Sequence, residues 1–299
     1  MKAKQELIKK TTYENLDCIG RPDIYIKLEC NQFANSFKSR GIVNFLSHID
    51  DIKGLVTFTT GNHGISVSAI ARQLSLPAII ITTDKISNHK RTIIESNGAT
   101  VQLIDFYDLD KATTMAKQTA IDLGYTFVPL FDNDNLLDGY SEIANEICTD
   151  FEGNLTMFFP IGSGSLLYAN AKRAKAINPN NKIIGVEPKV YQRLNGVAQH
   201  NSPSLSIADS LAIDRIPTCN LDLTKYVDDI LAIEETEIAD ATKMIYKQFN
   251  LVTEAGGAIT LAAALKTDND NTSKIAVITG KNISPDKFNF INSNFQSAK

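Results

Sequence analysis

Short apolar runs that alternate with segments of helical period leave few folds open to a chain. Residues 56–59 precede a helix-period stretch at 64–74, residues 78–82 precede 88–97, residues 100–104 precede 110–123, and a further apolar run follows at 126–129. A strand covered on both faces reads as a continuous apolar run, and a helix covered on one face reads as a 3.6-residue period. The spacing therefore predicts repeated βα units, a parallel sheet, and helices on both of its faces. Pro77 marks the turn into the second strand, and Gly98 closes the helix before it as a left-handed C-terminal residue.

The pattern then restarts. Residues 141–149 read as a helix, 156–161, 182–186 and 275–279 as buried strands, 166–176 and 236–249 as helices, and 23–29 as an alternating strand near the N-terminus. No low-complexity linker and no internal repeat divides the two halves. The economical architecture is α/β: two open twisted sheets flanked by helices, in two lobes sharing one cleft, with the chain crossing between them more than once.

Ligands in such sheets bind beyond the carboxyl ends of the strands, and three unusual segments fall there, each opening a helix. The strand at 23–29 is followed by Ser36-Phe37-Lys38-Ser39-Arg40-Gly41, the run at 54–58 by Thr59-Thr60-Gly61-Asn62-His63-Gly64, and the run at 156–161 by Gly162-Ser163-Gly164-Ser165-Leu166. A lone lysine is usually a solvated charge and a lone glycine-rich turn is usually a turn. Three such segments at strand ends are harder to assign to scaffold alone.

Composition narrows the chemistry by exclusion. With 299 residues the chain has volume for a buried site, and its 43% hydrophobic and 21% charged content is ordinary for a globular protein. A net charge of -4 gives no basic surface for nucleic acid. No apolar stretch approaches the roughly 20 residues of a membrane helix, and the charged N-terminus lacks a secretory core, so a cytoplasmic location is expected. Cys18, Cys30, Cys148 and Cys219 show no CxxC or CxxH spacing, and His48, His63, His89 and His200 are equally dispersed, so no zinc site is expected.

The 162–165 loop places flexible backbone and two hydroxyls ahead of a helix N-terminus, whose N–H groups and dipole favour a phosphate. It lacks the lysine of a Walker loop and the spacing of a dinucleotide site, and a plain tight turn remains the alternative. Lys38 adds a second element. An amine with a reference pKa of about 10.4 is a cation in water, but burial disfavours that cation and permits condensation with a carbonyl. A lysine and a remote phosphate cradle together are what pyridoxal phosphate needs, one for its aldehyde and one for its phosphate. The third segment, rich in Thr and Gly at a helix start, offers N–H donors to a substrate carboxylate, while Asn62 either bonds a ring oxygen or caps the following helix.

These segments resemble the fold-type II pyridoxal-phosphate enzymes, the group that holds serine and threonine dehydratases, serine racemase, cysteine synthase and threonine synthase. Residues 36–41 look like the family's SFKxRG, residues 60–63 like its SGNH, 162–166 like its tetraglycine loop, and Gly185-Val186-Glu187-Pro188, Glu254-Ala255-Gly256-Gly257-Ala258 and Thr279-Gly280-Lys281-Asn282 like its GVEP, EPAGA and SGGN. The resemblance implies that Lys38 binds the cofactor aldehyde, that Phe37 packs on its ring, that Asn62 meets the ring 3'-oxygen, and that Gly162, Ser163, Gly164, Ser165 and Leu166 hold its phosphate. It also implies that Thr279 faces the pyridine nitrogen, with Glu254 in the cofactor shell. Thr59, Thr60, Gly61, Asn62, His63 and Tyr140 are the implied substrate contacts, and Lys38 and Thr60 the implied catalytic pair. The active site is expected between a large domain (1–53 and 133–299) and a small mobile one (54–132), in a homodimer.

His63 favours the dehydratase and racemase branch. A neutral hydroxyl at the ring nitrogen suits prompt β-elimination, and Thr60, standing where the racemase has a serine, is too crowded to favour racemisation. The expected activity is an ammonia-lyase acting on a small β-substituted amino acid; β-replacement and racemisation are the alternatives. Several positions depart from the family. Asn35 replaces a glycine, Ser163 and Ser165 replace two more, and the substrate segment reads Asp138-Gly139-Tyr140-Ser141-Glu142, with Tyr140 and Glu142 either reaching the substrate side chain or forming a plain helix start. Arg193 stands where the metal-binding members carry an acid six positions after the GVEP glutamate. An Arg193–Glu187 salt bridge in place of a divalent ion is therefore expected. The chain's end at Lys299 predicts no C-terminal regulatory domain.

Overall fold

The computed structural model describes residues 6–106, 108–194, 206–213, 222–270 and 272–294. Cys219 and His200 lie outside them. In chain order the strands are β1 (Tyr13–Leu16), β2 (Arg21–Lys27), β3 (Leu55–Phe58), β4 (Ala78–Thr83), β5 (Thr100–Ile104), β6 (Thr126–Phe127), β7 (Leu155–Pro160), β8 (Lys182–Pro188), β9 (Asp229–Ile233) and β10 (Ser273–Val277). The helices are α1 (Lys38–Ser47), α2 (Asn62–Gln73), α3 (Asn88–Ser96), α4 (Leu109–Leu123), α5 (Asp134–Asp150), α6 (Ser165–Ile177), α7 (Glu235–Phe249), α8 (Ala255–Leu265) and α9 (Pro285–Asn294). None among the described residues is long and apolar enough to cross a membrane.

The chain divides into two compact units, Met1–Lys9 with Gln32–Gly139 and Lys10–Asn31 with Tyr140–Lys299. The first carries a parallel sheet in the order β5-β4-β3-β6. Its helices follow from simple patterns. In α4, Ala112, Ala116 and Ala120 recur every four residues and bury one face beside Val56 and Phe58. Asp108 caps the start of α4 and Gly124, at φ +65°, ends it. Asn97 caps the end of α3, and Gly98, at φ +85°, follows that cap. Ile42, Val43 and Leu46 of α1 join Leu55, Ile65 and Ile80 in one core. That shared core places residues 32–53, Lys38 included, in this unit, whereas the sequence reading set the boundary at residue 53.

The second unit carries a sheet in the order β1-β2-β10-β7-β8-β9, parallel except for the β1–β2 pair. Thus β10, from late in the chain, lies between β2 and β7. Helix α8, with the sequence Ala-Gly-Gly-Ala-Ile-Thr-Leu-Ala-Ala-Ala-Leu, is apolar on every side and buried through Ala264. A buried ion pair fastens the edge of the sheet: Lys27 Nζ, fully enclosed, donates to Glu146 Oε2 at 2.6 Å and to the Thr11 carbonyl at 2.8 Å, and lies 4.4 Å from the Tyr13 ring centroid. Nearby, Lys274 meets Asp23 at 3.1 Å and Asp270 at 2.6 Å.

Helix α5 begins at Asp134, seven residues before the expected 141, and Gly139 explains why the early start is possible. A Cβ there would lie 2.5 Å from the Arg40 carbonyl and 2.7 Å from Gly41 Cα, so only a residue without one permits this approach.

Candidate active site

In the first unit, the Lys38 and Asn62 segments are placed by the starts of α1 and α2. Before α1 the chain turns through Ala34 at φ +55° and Asn35 at φ +57°. Asn tolerates this left-handed region better than other non-glycine residues, which accounts for Asn35 serving where the family has glycine. Ser36 Oγ then accepts the Lys38 backbone N–H at 3.3 Å, and α1 begins at Lys38 itself. The Lys38 amine lies 5.0 Å from the Phe37 ring centroid. The residue keeps partial exposure, yet burial of its amine lowers the pKa to about 8.

At the carboxyl end of β3 the threonines take different roles. Thr59 is buried, and its hydroxyl accepts the Gly61 N–H at 3.1 Å, shaping the loop. Thr60 is exposed. Asn62 is the first residue of α2 and is partly exposed. His63, next to it, is buried, and neither ring nitrogen meets a hydrogen-bond partner of good geometry. Burial first, and the positive charge of Lys38 second, lower its pKa to about 3, against a smaller opposing effect of the Val128 backbone. The ring is therefore neutral at physiological pH.

In the second unit, β7 runs into Ile161 and the expected loop. Gly164, at φ +87°, precedes α6, whose first turn holds no acidic residue. The buried hydroxyls of Ser163 and Ser165 stand 3.2 Å apart, and Leu166 is buried in the first turn of α6. A helix N-terminus with two hydroxyls and no carboxylate is a donor set suited to a phosphate.

The turn after β10 completes this unit's part. Thr279 is buried, and a Cβ on Gly257 would stand 3.0 Å from its backbone nitrogen, so α8 packs directly on the turn. Glu254 heads α8. Its N–H donates to the Gly280 carbonyl at 3.0 Å, and its carboxylate accepts the Asn282 N–H at 3.2 Å, which fixes the turn that presents Thr279. Tyr140 is wholly enclosed within α5, and burial raises its pKa. Glu142 is exposed and accepts the Asn145 side-chain N–H at 2.8 Å.

The expected Arg193–Glu187 salt bridge is not formed. Glu187 is buried, and its carboxylate instead accepts backbone N–H groups, from Arg193 at 3.0 Å and Leu194 at 3.4 Å. The Arg193 guanidinium instead donates to carbonyls of the loop after β7, with its charge still acting on Glu187. Backbone amides satisfy the buried carboxylate, so the side chain is released for another use. Sequence pattern marked both residues but carried no signal of this swap.

A nucleophilic amine shifted by burial, an anion cradle at a helix start and a buried neutral hydroxyl at a strand end fit the aldehyde, phosphate and ring nitrogen of pyridoxal phosphate. One consequence is measurable. Below the amine's pKa the reactive neutral form falls tenfold per pH unit, so the rate at which cofactor-free protein captures pyridoxal phosphate should rise about tenfold per pH unit and level off near pH 8. Stopped-flow absorbance would record it. A rate still climbing tenfold per unit at pH 10 would mean that the amine is not shifted.

Known proteins supply independent findings. A family model described as pyridoxal-phosphate dependent enzyme matches residues 5–280. L-threonine ammonia-lyase of Thermotoga maritima is 31% identical over 271 residues, covering 87% of this chain and 67% of that protein. Serine racemase of Oryza sativa subsp. indica is 30% identical over 263 residues, covering 85% and 77%. The structure of maize serine racemase superposes with a TM-score of 0.81 at 25% identity, covering 95% of this chain and 94% of that one. The chain belongs to the fold-type II pyridoxal-phosphate dependent enzymes, in the branch that contains threonine dehydratases and serine racemases, and its cofactor is pyridoxal 5'-phosphate.

Proposed function

We propose that the protein is an ammonia-lyase of the serine/threonine dehydratase type, converting a small β-hydroxy amino acid to a 2-oxo acid and ammonia. The observation that carries this reading is the single near-neutral titration at the Lys38 and Asn62 segments. Lys38 has its pKa at about 8, whereas His63 stays neutral down to about 3 and Thr60 carries a hydroxyl more crowded than the serine that stands there in the racemase. One base removes an α-proton; interconversion of enantiomers needs a second group able to return it on the opposite face.

The bound cofactor supplies the electron sink that makes the α-proton acidic. The chain does the rest. Lys38 holds the aldehyde, takes the α-proton when the substrate amine replaces it, and carries that proton away from Cα. Gly162 to Leu166 hold the phosphate. Thr279 meets the ring nitrogen with a neutral hydroxyl and Asn62 meets the ring 3'-oxygen. Thr60 and Gly61, in front of α2, orient the substrate carboxylate at a positive helix end. The β-hydroxyl leaves as water by taking up the proton that Lys38 removed from Cα, and hydrolysis of the released enamine consumes one water and yields the 2-oxo acid and ammonia.

The L and D forms of serine and threonine separate the readings. The lyase should form 2-oxo acid from the L form of at least one, with little of its enantiomer. Rapid appearance of the D enantiomer without 2-oxo acid would replace this reading with a racemase.

A further inference from the structure

We propose that Arg193 is the positioning residue of the phosphate-binding loop, a fixed cation that orients the loop's backbone N–H groups toward the phosphate. Its guanidinium donates from Nη1 to the carbonyls of Gly162, at 2.8 Å, and Ile213, at 3.1 Å, and from Nη2 to the carbonyl of Ile161. Two of these acceptors are consecutive peptide units at the mouth of β7. In a trans peptide the N–H points opposite to the C=O across the same plane, and no cis bond is present among the described residues. With the Ile161 and Gly162 carbonyls both turned to the guanidinium, the N–H groups of Gly162 and Ser163 are turned away from it. They join the start of α6 and the Ser163 and Ser165 hydroxyls on the anion's side of the loop.

Glu187 sets this arrangement indirectly. By gripping the backbone N–H of Arg193 and Leu194 from the end of β8, it seats the arginine with its side chain directed at the neighbouring β7 loop. A single positive charge on three carbonyls also offsets the cost of gathering their dipoles. Lysine is a poor substitute, since its ammonium lacks the planar fork that spans adjacent carbonyls.

This inference rests on the cofactor assignment, and the experiment separates the two. Wild type, Arg193→Gln and Arg193→Lys, each freed of cofactor, are titrated with pyridoxal phosphate and with pyridoxal, which has the same aldehyde and no phosphate. Visible absorbance reports binding of both to Lys38. The expected result is a roughly tenfold or greater loss of pyridoxal phosphate affinity in Arg193→Gln, a smaller loss in Arg193→Lys, and less than about twofold change for pyridoxal. Equal weakening of both ligands would make Arg193 a general scaffold residue and overturn the proposal, as would unchanged affinity for the phosphate form. Should Arg193→Gln fail to fold, the ratio measured in Arg193→Lys decides by the same criterion. A wild-type protein that develops no band with pyridoxal phosphate would instead strike the cofactor assignment.

Discussion

Lys38→Ala is expected to lose the visible band that pyridoxal phosphate gives with the wild type and to lower 2-oxo acid formation on the order of 10³-fold or more, since both the proposed covalent anchor and the proposed base disappear. Two other lysines are buried more completely but serve differently. Lys27 is neutralised by Glu146 and Lys274 by Asp23 and Asp270, so each is held as a cation within an ion pair. For Lys38, burial acts against the cation. The prediction is checked by absorbance together with an oxo-acid assay, adding methylamine to the variant; partial recovery of turnover by the exogenous amine is expected. A variant that kept the band would mean that another lysine holds the aldehyde.

Glu146→Ala should produce the largest stability loss. It removes the carboxylate that balances the fully enclosed Lys27, at a cost of about 3–5 kcal/mol. For a chain of this size the corresponding fall in melting temperature is roughly 5–8 °C. Replacing both partners by apolar residues, as in Lys27→Met with Glu146→Leu, removes the buried charge as well and should recover most of the loss. Calorimetry of the single and double variants gives both numbers. A double variant as unstable as Glu146→Ala would show that the hydrogen bonds to Thr11, rather than the charge balance, hold this corner.

The sequence disclosed what periodicity can carry. The expected strands at 78–82, 100–104, 156–161 and 182–186 match β4, β5, β7 and β8 to within two residues at each end; β4, β7 and β8 are covered parallel strands and so largely apolar runs, whereas β5 is a partly buried edge strand. Edge strands β1 and β9 escaped, being short and only partly buried. Helix α8 escaped for the opposite reason: with every side apolar it has no period to detect. The first turns of α5 were hidden by an Asp-rich start and by Gly139, whose purpose shows only when the Arg40–Gly41 backbone lies against it. The three motif segments were legible because a lysine, an asparagine and glycines at strand ends are chemically odd. What each side chain touches was not, and the Arg193 guanidinium is the clearest example.

The place of β10 has a bearing on biosynthesis. The four strands of the first unit lie within residues 55–127, so a nascent chain can assemble that sheet as soon as this stretch clears the ribosome. The larger sheet waits for residues 273–277, which wedge between two strands made long before, and the Thr279 turn follows them. At about 5–20 residues per second the delay between the two is on the order of ten seconds. During it, β2 and β7 expose the edges that β10 will occupy. The chain's period of greatest exposure to aggregation and to chaperones therefore precedes the moment at which Thr279, the proposed ring-nitrogen contact, is in place, and cofactor loading through that proposed contact would be confined to chains whose synthesis has passed β10.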